Sequence, residues 1–547
     1  MSTLLNDGKT VHGGFLDTQK AFDTLWILGL LYKLHIEGIN PKAWFIIQDA
    51  YTGFQCTAYV NGISGPWFYP LRGVHQGAPL SMALYTIFNN DLIKKLCSHP
   101  NGVCIRNQVL NSPAHADDVC LLTIHKVVLN GMFKDSIDYS KKWRYDYNIG
   151  KTVYMCWGID DHPHIPIVFG NTELEPELEC KHMGTVLTTD KRRSEDICRK
   201  RIGGGKPALF AGLGIGGQSV RTSPETMSRI YWTVVVPKVL YGIEATPMND
   251  VCLELLESNH RENALLIQNL PQRTPLPAPL STIGWQKITA YIAYLKVMFL
   301  FRILCLDRDS LYRKLAISGL DRCSELNGRP EKVVTPVGDI LKKLDYYRMT
   351  DLLQHCRERG HWQMVDGLKS TVKRRIQEHE ESMWKVSAML YRDLSVYIKC
   401  VKYKEICVWW KFVSKSSGSF KAASCVVSLL CGTQPKGYGI NFGRNQRCKL
   451  CGSYEIETVQ HVVFECDGLA IIRGPNMMRL SEAMPNAMID SYGRLDNNEK
   501  LDFLLSGLGY DKYEDQWRDI YASISKLIME LYRHRAFLYK RYEEMGL

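Results

Sequence analysis

Three short segments carry side chains suited to chemistry on phosphate. GGFLDTQKAFD holds Asp17 and Asp23, RGVHQGAPLS holds Arg72, Gln76, Gly77 and Pro79, and AHADDVCLL holds Asp117 and Asp118. Two adjacent anions repel each other, and burying either without a partner is costly. An Asp-Asp pair between strand-like runs therefore calls for a divalent cation. Mg2+ suits it, because it takes oxygen ligands and keeps positions open for substrate phosphates. Asp17 ends the apolar run Gly14-Phe15-Leu16. If that run pairs with the apolar run 119–124, Asp17 and Asp117 can hold two metals about 4 Å apart, as in-line phosphoryl transfer needs. Taken singly, an Asp-Asp is more often a solvated turn and an apolar-Asp junction a helix cap. The case rests on the three motifs occurring in this order.

A second constellation lies near the C-terminus, where CKLCGSYEIETVQHVVFEC has the spacing C-x2-C-x9-H-x4-C. Cys448 and Cys451 come from one tight turn, while His461 and Cys466 lie near one helical face. Three thiolates and an imidazole complete a tetrahedral zinc set, and a closed four-ligand set is structural rather than catalytic. Arg444, Arg447 and Lys449 surround it, which suits RNA or DNA binding and equally suits a solvated charged face.

These side chains need a scaffold. The pattern predicts helices over 25–36, 42–51 and 79–96, the last opened by Pro79, and a hairpin over 57–70 turning at Asn61-Gly62. Beyond residue 190 longer helical patterns take over, at 223–236, 251–268, 285–306, 377–413 and 514–544. The glycine-rich stretch 203–217 and the Ser/Gly/Lys-rich stretch 414–447 read as loops. The most apolar window, 288–306, is interrupted by Lys296 and Arg302, so it reads as a buried helix and not a membrane span. Trp409 and Trp410 read as core. Lys373, Arg374 and Arg375, opposed by Glu378, Glu380 and Glu381, suggest ion pairs along a helix. The 547 residues allow two to four domains. Net charge is +11, which favours polyanionic partners, and the 18 cysteines read mostly as buried thiols of an intracellular protein. The first residues lack the basic flank and apolar stretch of a signal peptide. The expectation is an intracellular protein, in nucleus or cytoplasm, without a membrane partner.

FLDTQKAFD, RGVHQGAPLS and HADD, in that order, resemble the palm motifs of reverse transcriptases, most closely those of retrotransposons lacking long terminal repeats (LINE type). YNIGKT (147–152) resembles the palm motif that follows, KHMG (181–184) the primer grip, and PKVLYGIE (237–244) a recurrent stretch of the thumb region. The resemblance implies an α+β fold: an antiparallel palm sheet with packed helices over 1–190, a helical thumb-like region over 191–310, a helical linker over 311–440, a CCHC zinc knuckle over 441–475 and a C-terminal helical segment over 476–547. It implies an RNA-directed DNA polymerase using a template RNA, a DNA primer or target site, and deoxynucleotides, with Mg2+ at the catalytic site and structural Zn2+ on Cys448, Cys451, His461 and Cys466. Oligomeric state is left open.

Position by position, the resemblance makes Asp17 and Asp117 ligands of both metals, with Asp118 completing the acidic site near the primer end. The Thr18 carbonyl becomes a further ligand, and Phe22 the gate against a 2′-hydroxyl. Gln76 and Gly77 lie under the nucleotide and template base. Lys151 approaches the triphosphate, and Lys181, His182, Met183 and Gly184 form the primer grip. The runs 191–193 and 199–201 would touch phosphates of the duplex or remain solvated. Asp23 reads as a helix-start or supporting residue. The chain departs from the pattern at His115, where an aromatic is usual, and at Met183, where leucine is. Only 16 residues precede Asp17, which leaves no room for a fingers region. The expectation is an N-terminally truncated polymerase with weak or absent activity in isolation. The alternatives are a catalytically inactive nucleic-acid-binding remnant and a maturase-type splicing factor on the same palm. No restriction-type endonuclease cluster follows the knuckle.

Overall fold

In the computed structural model the described residues are 2–99, 102–106, 108–160, 162–190, 194–214, 222–326, 329–435 except 416–419, 447–452, 455–507 and 517–545. The basic run 191–193 and Arg444 lie outside them. The chain forms two compact units, one of residues 1–194, 300–342 and 352–365, the other of 195–299, 343–351 and 366–547.

The first unit is built on β1 (Val11–Leu16), α1 (Ile27–Ile36), α2 (Pro41–Thr52), α3 (Pro79–Cys97), β2 (Ala114–His115), β3 (Asp118–Thr123), α4 (Lys126–Trp143), β4 (Val153–Trp157), and a hairpin of β5 (Glu179–His182) and β6 (Thr185–Thr188). Four strands form one antiparallel sheet in the order β2-β3-β1-β4. All six residues of β1 are buried. Its two glycines admit aromatic neighbours: a Cβ at Gly13 would stand 2.7 Å from Trp157 Cζ3, and one at Gly14 2.6 Å from Phe133 Cζ. Leu84, Phe88 and Leu92 of α3, Leu121 of β3, and Leu129, Met132 and Phe133 of α4 fill the core beside the sheet. Pro41 and Pro79 start α2 and α3, and the Asn40 side chain caps α2 by accepting from Lys42 N. The hairpin at Asn61-Gly62 forms as its dipeptide demands, with φ of +50° and +84° in the turn between Tyr59–Val60 and Ile63–Ser64.

The second unit is helical. The glycine-rich stretch is not a loop as far as it is described: it lies within the helix Ser194–Gly214. Gly205 and Gly212 are packing positions, where a Cβ would meet Val239 Cγ2 at 2.7 Å and Met227 Cε at 3.1 Å. The stretch 377–413 is likewise not one helix. A helix runs Val365–Met389, and shorter ones follow at Ser395–Cys400 and Val408–Lys415. Within the expected loop 414–447 lies the helix Phe420–Leu430, buried from Ala422 onward. Its serines face inward: Ser424 Oγ donates to Gln268 O and Ser428 Oγ to Ser424 O. Trp409 and Trp410 are core residues, packed with Trp517 and Tyr521 of the last helix, Trp517–Glu544. Of the expected charge pairs, Arg374–Glu378 forms at 3.1 Å, while Arg375 turns to Asp351 and buried Glu380 to Lys287. The helix Ile288–Leu304 is the predicted apolar one. No helix among the described residues is long and apolar enough to cross a membrane.

Candidate catalytic cleft and metal-ligand cluster

β1 delivers Asp17 at its end. The following residues are pinned to the segment before β4: Asn148 N donates to Asp17 O at 2.7 Å, Gln19 N to Asp146 O at 2.9 Å, and Thr18 bridges Tyr147. The chain then turns through Lys20, at φ +44°, into the short helix Ala21–Thr24. Half-buried Phe22 leans on Tyr85, ring centroids 5.3 Å apart. The segment carrying Gln76 is tied to this turn by Gly73 N to Leu25 O and Val74 N to Phe22 O, both 2.8 Å. Gly73 has φ +97° and lies against Asp23, whose carbonyl would be 3.0 Å from a Cβ. Asp23 accepts a hydrogen bond from Gln76 Nε2 at 2.8 Å, a supporting contact. Gly77 also has positive φ, +83°, but a Cβ there would meet nothing within 4 Å. Among the described residues its glycine answers to backbone conformation and not to protein packing.

Asp117 lies in the two-residue turn of the β2–β3 hairpin, after Ala116 at φ +56°, with His115 paired to Asp118. Leu16 pairs with Val119, so the carboxylates at the ends of β1 and β3 converge. Burial pushes the Asp117 carboxyl above its ordinary value, and repulsion from Asp118 and Asp17 pushes it further. A divalent cation is the ordinary relief for such a set. Asp17, Thr18, Phe22, Gln76, Asp117 and Lys151 line one cleft of about 750 Å³. Gln19, Lys20, Thr24 and Asn148, none singled out from the sequence, line it too. Gln19, Lys20 and Asn148 lie inside motifs already marked by a neighbour, and Thr24 directly follows one. Lys20 gives the cleft lining a second cation in addition to Lys151.

Asp118 and Gly77 are not among the lining residues, and neither is the 181–184 segment. The latter is the β5–β6 hairpin, with Met183 and Gly184 at positive φ in its turn and Lys181 exposed. His182 sits on Phe15 at 5.1 Å. Burial lowers its pKa, and Asp118 opposes that shift, so the hairpin stands beside the acidic group.

In the second unit Cys448, Cys451, His461 and Cys466 bring their donor atoms within 4.8 Å of one another. A β-bridge between Arg447 and Ile456, with Cys448 N donating to Glu455 O at 2.8 Å, presents the first pair. The second pair is five residues apart, a spacing an α-helix would splay. The π-helical turn His461–Glu465, closed by Cys466 N to His461 O at 2.8 Å, aligns them. The Cys448 and Cys466 Sγ atoms are 3.8 Å apart, and Cys451 Sγ is 3.4 Å from His461 Nε2. Tetrahedral zinc with bonds of about 2.3 Å to sulfur and about 2.0 Å to nitrogen sets these edges at about 3.8 and 3.5 Å. The donor set therefore fits zinc. His461 Nδ1 faces Glu455 at 3.4 Å and Glu465 at 3.8 Å, the outer carboxylates a metal-bound imidazole usually has. Buried Arg535 donates to both oxygens of Glu457, at 2.7 and 2.9 Å, and Tyr539 OH accepts from Lys449 N, so the last helix holds the cluster in place.

The first unit thus presents an antiparallel sheet with carboxylates at the ends of two adjacent central strands and a cleft lined by two lysines, an arrangement suited to divalent-metal chemistry on phosphate. Residues 2–188 match the reverse transcriptase (RNA-dependent DNA polymerase) family. It is 28% identical over 185 residues to the RNA-directed DNA polymerase from mobile element jockey of Drosophila funebris, covering 32% of this chain and 19% of that protein. It is 32% identical over 125 residues to the Retrovirus-related Pol polyprotein from type-2 retrotransposable element R2DM of Drosophila melanogaster, covering 23% of this chain and 12% of that protein. The chain thus spans a fifth or less of these relatives' length. A telomerase structure from Candida albicans, in complex with a fragment of telomeric RNA, aligns at 14% identity and a TM-score of 0.21, covering 58% of this chain and 52% of that one.

Proposed function

We propose that the chain carries out RNA-directed DNA synthesis for a mobile element, extending a DNA primer on an RNA template with deoxynucleotides inside the cell, in nucleus or cytoplasm. The observation that carries this is that Asp17 and Asp117 line one cleft, with the Asp117 carboxyl pushed up by burial and further by its acidic neighbours. Two Mg2+ ions held by Asp17, Asp117 and Asp118 would acidify the primer 3′-hydroxyl and neutralise the triphosphate. The primer oxygen attacks the α-phosphorus, the bond to the bridging oxygen breaks and pyrophosphate leaves. Lys151, which lines the cleft, would give that leaving group a proton. The Thr18 carbonyl joins the acidic set. Phe22, braced by Tyr85, meets the sugar where a 2′-hydroxyl would be, and Gln76, held by Asp23, with Gly77 supports the nucleotide and its template base. The hairpin Lys181, His182, Met183 and Gly184 holds the primer end beside Asp118. The Cys448, Cys451, His461 and Cys466 set binds a structural zinc as a knuckle, with Arg447 and Lys449 on its exposed side.

Primer extension by the purified chain on an RNA template, against Asp117→Asn, tests the reading. Weak Mg2+-dependent DNA synthesis by the isolated chain, lost in the variant, is expected. Synthesis that survives in the variant, or is absent from a folded wild type, would refute it.

A further inference from the structure

Away from the cleft, the first unit holds a cavity of about 520 Å³ between the end of the helix Ile288–Leu304 and the start of the helix Leu311–Glu325. That volume lies within the range of about 300–1,000 Å³ common for ligand sites. Arg308, Arg313, Arg359 and His361 line it, opposed by one carboxylate, Asp307. The key residue is Arg313. It is only 5% exposed, yet its recorded bonds all come from Nη1, to the carbonyls of Leu306 at 2.7 Å and Gly360 at 3.3 Å. No carboxylate pairs with it among the described residues, so its nearly buried guanidinium is held by two carbonyl dipoles, and an anion in the cavity would add the missing counter-charge. The side chains of Arg308, Arg359 and His361 are likewise without a hydrogen bond or ion pair among the described residues. Ser310, which precedes the helix Leu311–Glu325, makes no side-chain capping bond, so first-turn N–H groups of that helix remain available. The backbone is tight here: a Cβ at Gly360 would lie 2.9 Å from Leu304 O.

We propose that this cavity is a phosphate-binding site, with Arg313 as its fixed floor and Arg308 and Arg359 as its mobile walls. Guanidinium forks and first-turn N–H groups are the donors that phosphate oxygens take. The phosphate comes either from a nucleic-acid backbone or from a free phosphate. Arg313 alone could be explained as a cap on two carbonyls; two more arginines without protein partners around the same cavity are not explained that way.

The test uses the full chain and the exposed positions, Arg308→Ala and Arg359→Ala, with Arg374→Ala as a control on the other unit. One arm follows the salt dependence of binding to a fluorescent RNA–DNA duplex. Loss of one backbone contact should lower the log–log slope by about 0.7–0.9. The other compares melting in inorganic phosphate with melting in chloride at matched ionic strength, where the wild type should gain and the variants should not. A change in the first arm assigns the site to the nucleic-acid backbone, and a change in the second alone assigns it to a free phosphate. No change in either arm, or an equal loss in Arg374→Ala, overturns the proposal.

Discussion

Leu16 of β1 pairs directly with Val119 of β3, and that single register brings Asp17 level with Asp118 and next to the turn that carries Asp117. Side chains on strands alternate, so a slip of one residue would send the acidic groups to opposite faces. The first prediction follows from the crowding this produces. Asp117→Asn should abolish primer extension, by a factor of at least about a thousand if metal binding supplies several kcal/mol of transition-state stabilisation. The same change should raise the melting temperature of the metal-free protein at neutral pH. The Asp117 carboxyl has a folded pKa raised by burial and by Asp118 and Asp17. Its penalty is absent below the ordinary carboxylate value and grows as pH rises through the raised one. Wild type and variant should therefore converge in stability at acid pH and separate toward neutrality. Parallel melting curves at every pH would contradict this.

Phe22→Val should relax sugar selection. The ring is fixed by Tyr85 at 5.3 Å and faces the cleft. Removing it should lower the ratio of kcat/KM for deoxynucleotide over ribonucleotide at least about tenfold, equivalent to about 1.4 kcal/mol. A fall in both values together would mean the ring only packs.

If the four donors hold zinc as proposed, chelation should unfold the cluster in the second unit, because the metal would tie its two pairs of ligands together. Burial and the neighbouring thiols push Cys466 up to about 12, so a metal-free protein keeps it protonated. Zinc binding must release that proton, and affinity should rise with pH. Arg535→Met should destabilise the same region by about 3–5 kcal/mol, since it strands the buried Glu457 carboxylate. Circular dichroism melts with and without zinc read both. A chelated protein that melts as before would remove zinc from the reading.

Much of this was legible in the sequence for a local reason. The acidic motifs end apolar strand runs, Asn61-Gly62 dictates its own turn, and Pro79 begins its own helix. What escaped depended on distant partners. Nothing near Asn148 announces that its N–H will hold Asp17, since the two meet only through the β1–β4 pairing. The helix Phe420–Leu430 was hidden by serines that read as loop but are satisfied inside the core. The knuckle's spacing was plain, whereas the π-helical turn that reconciles a five-residue step was not. The glycines between 203 and 212 misled most, because composition does not say whether a missing side chain serves bending or contact.

That last ambiguity gives the sharpest stability test. Gly203 and Gly205 share the helix Ser194–Gly214. A Cβ at Gly203 would meet nothing within 4 Å, whereas one at Gly205 would fall 2.7 Å from Val239 Cγ2 and 3.2 Å from Val235 Cγ1. Alanine is the better helix former by about 1 kcal/mol, so Gly203→Ala should stabilise by up to that amount. At Gly205 the same propensity gain must compete with two stiff β-branched side chains, and overpacking costs about 1–3 kcal/mol. Gly205→Ala should therefore lower stability in chemical denaturation while Gly203→Ala raises it. Equal gains at both sites would mean that the helix does not pack where Val235 and Val239 place it.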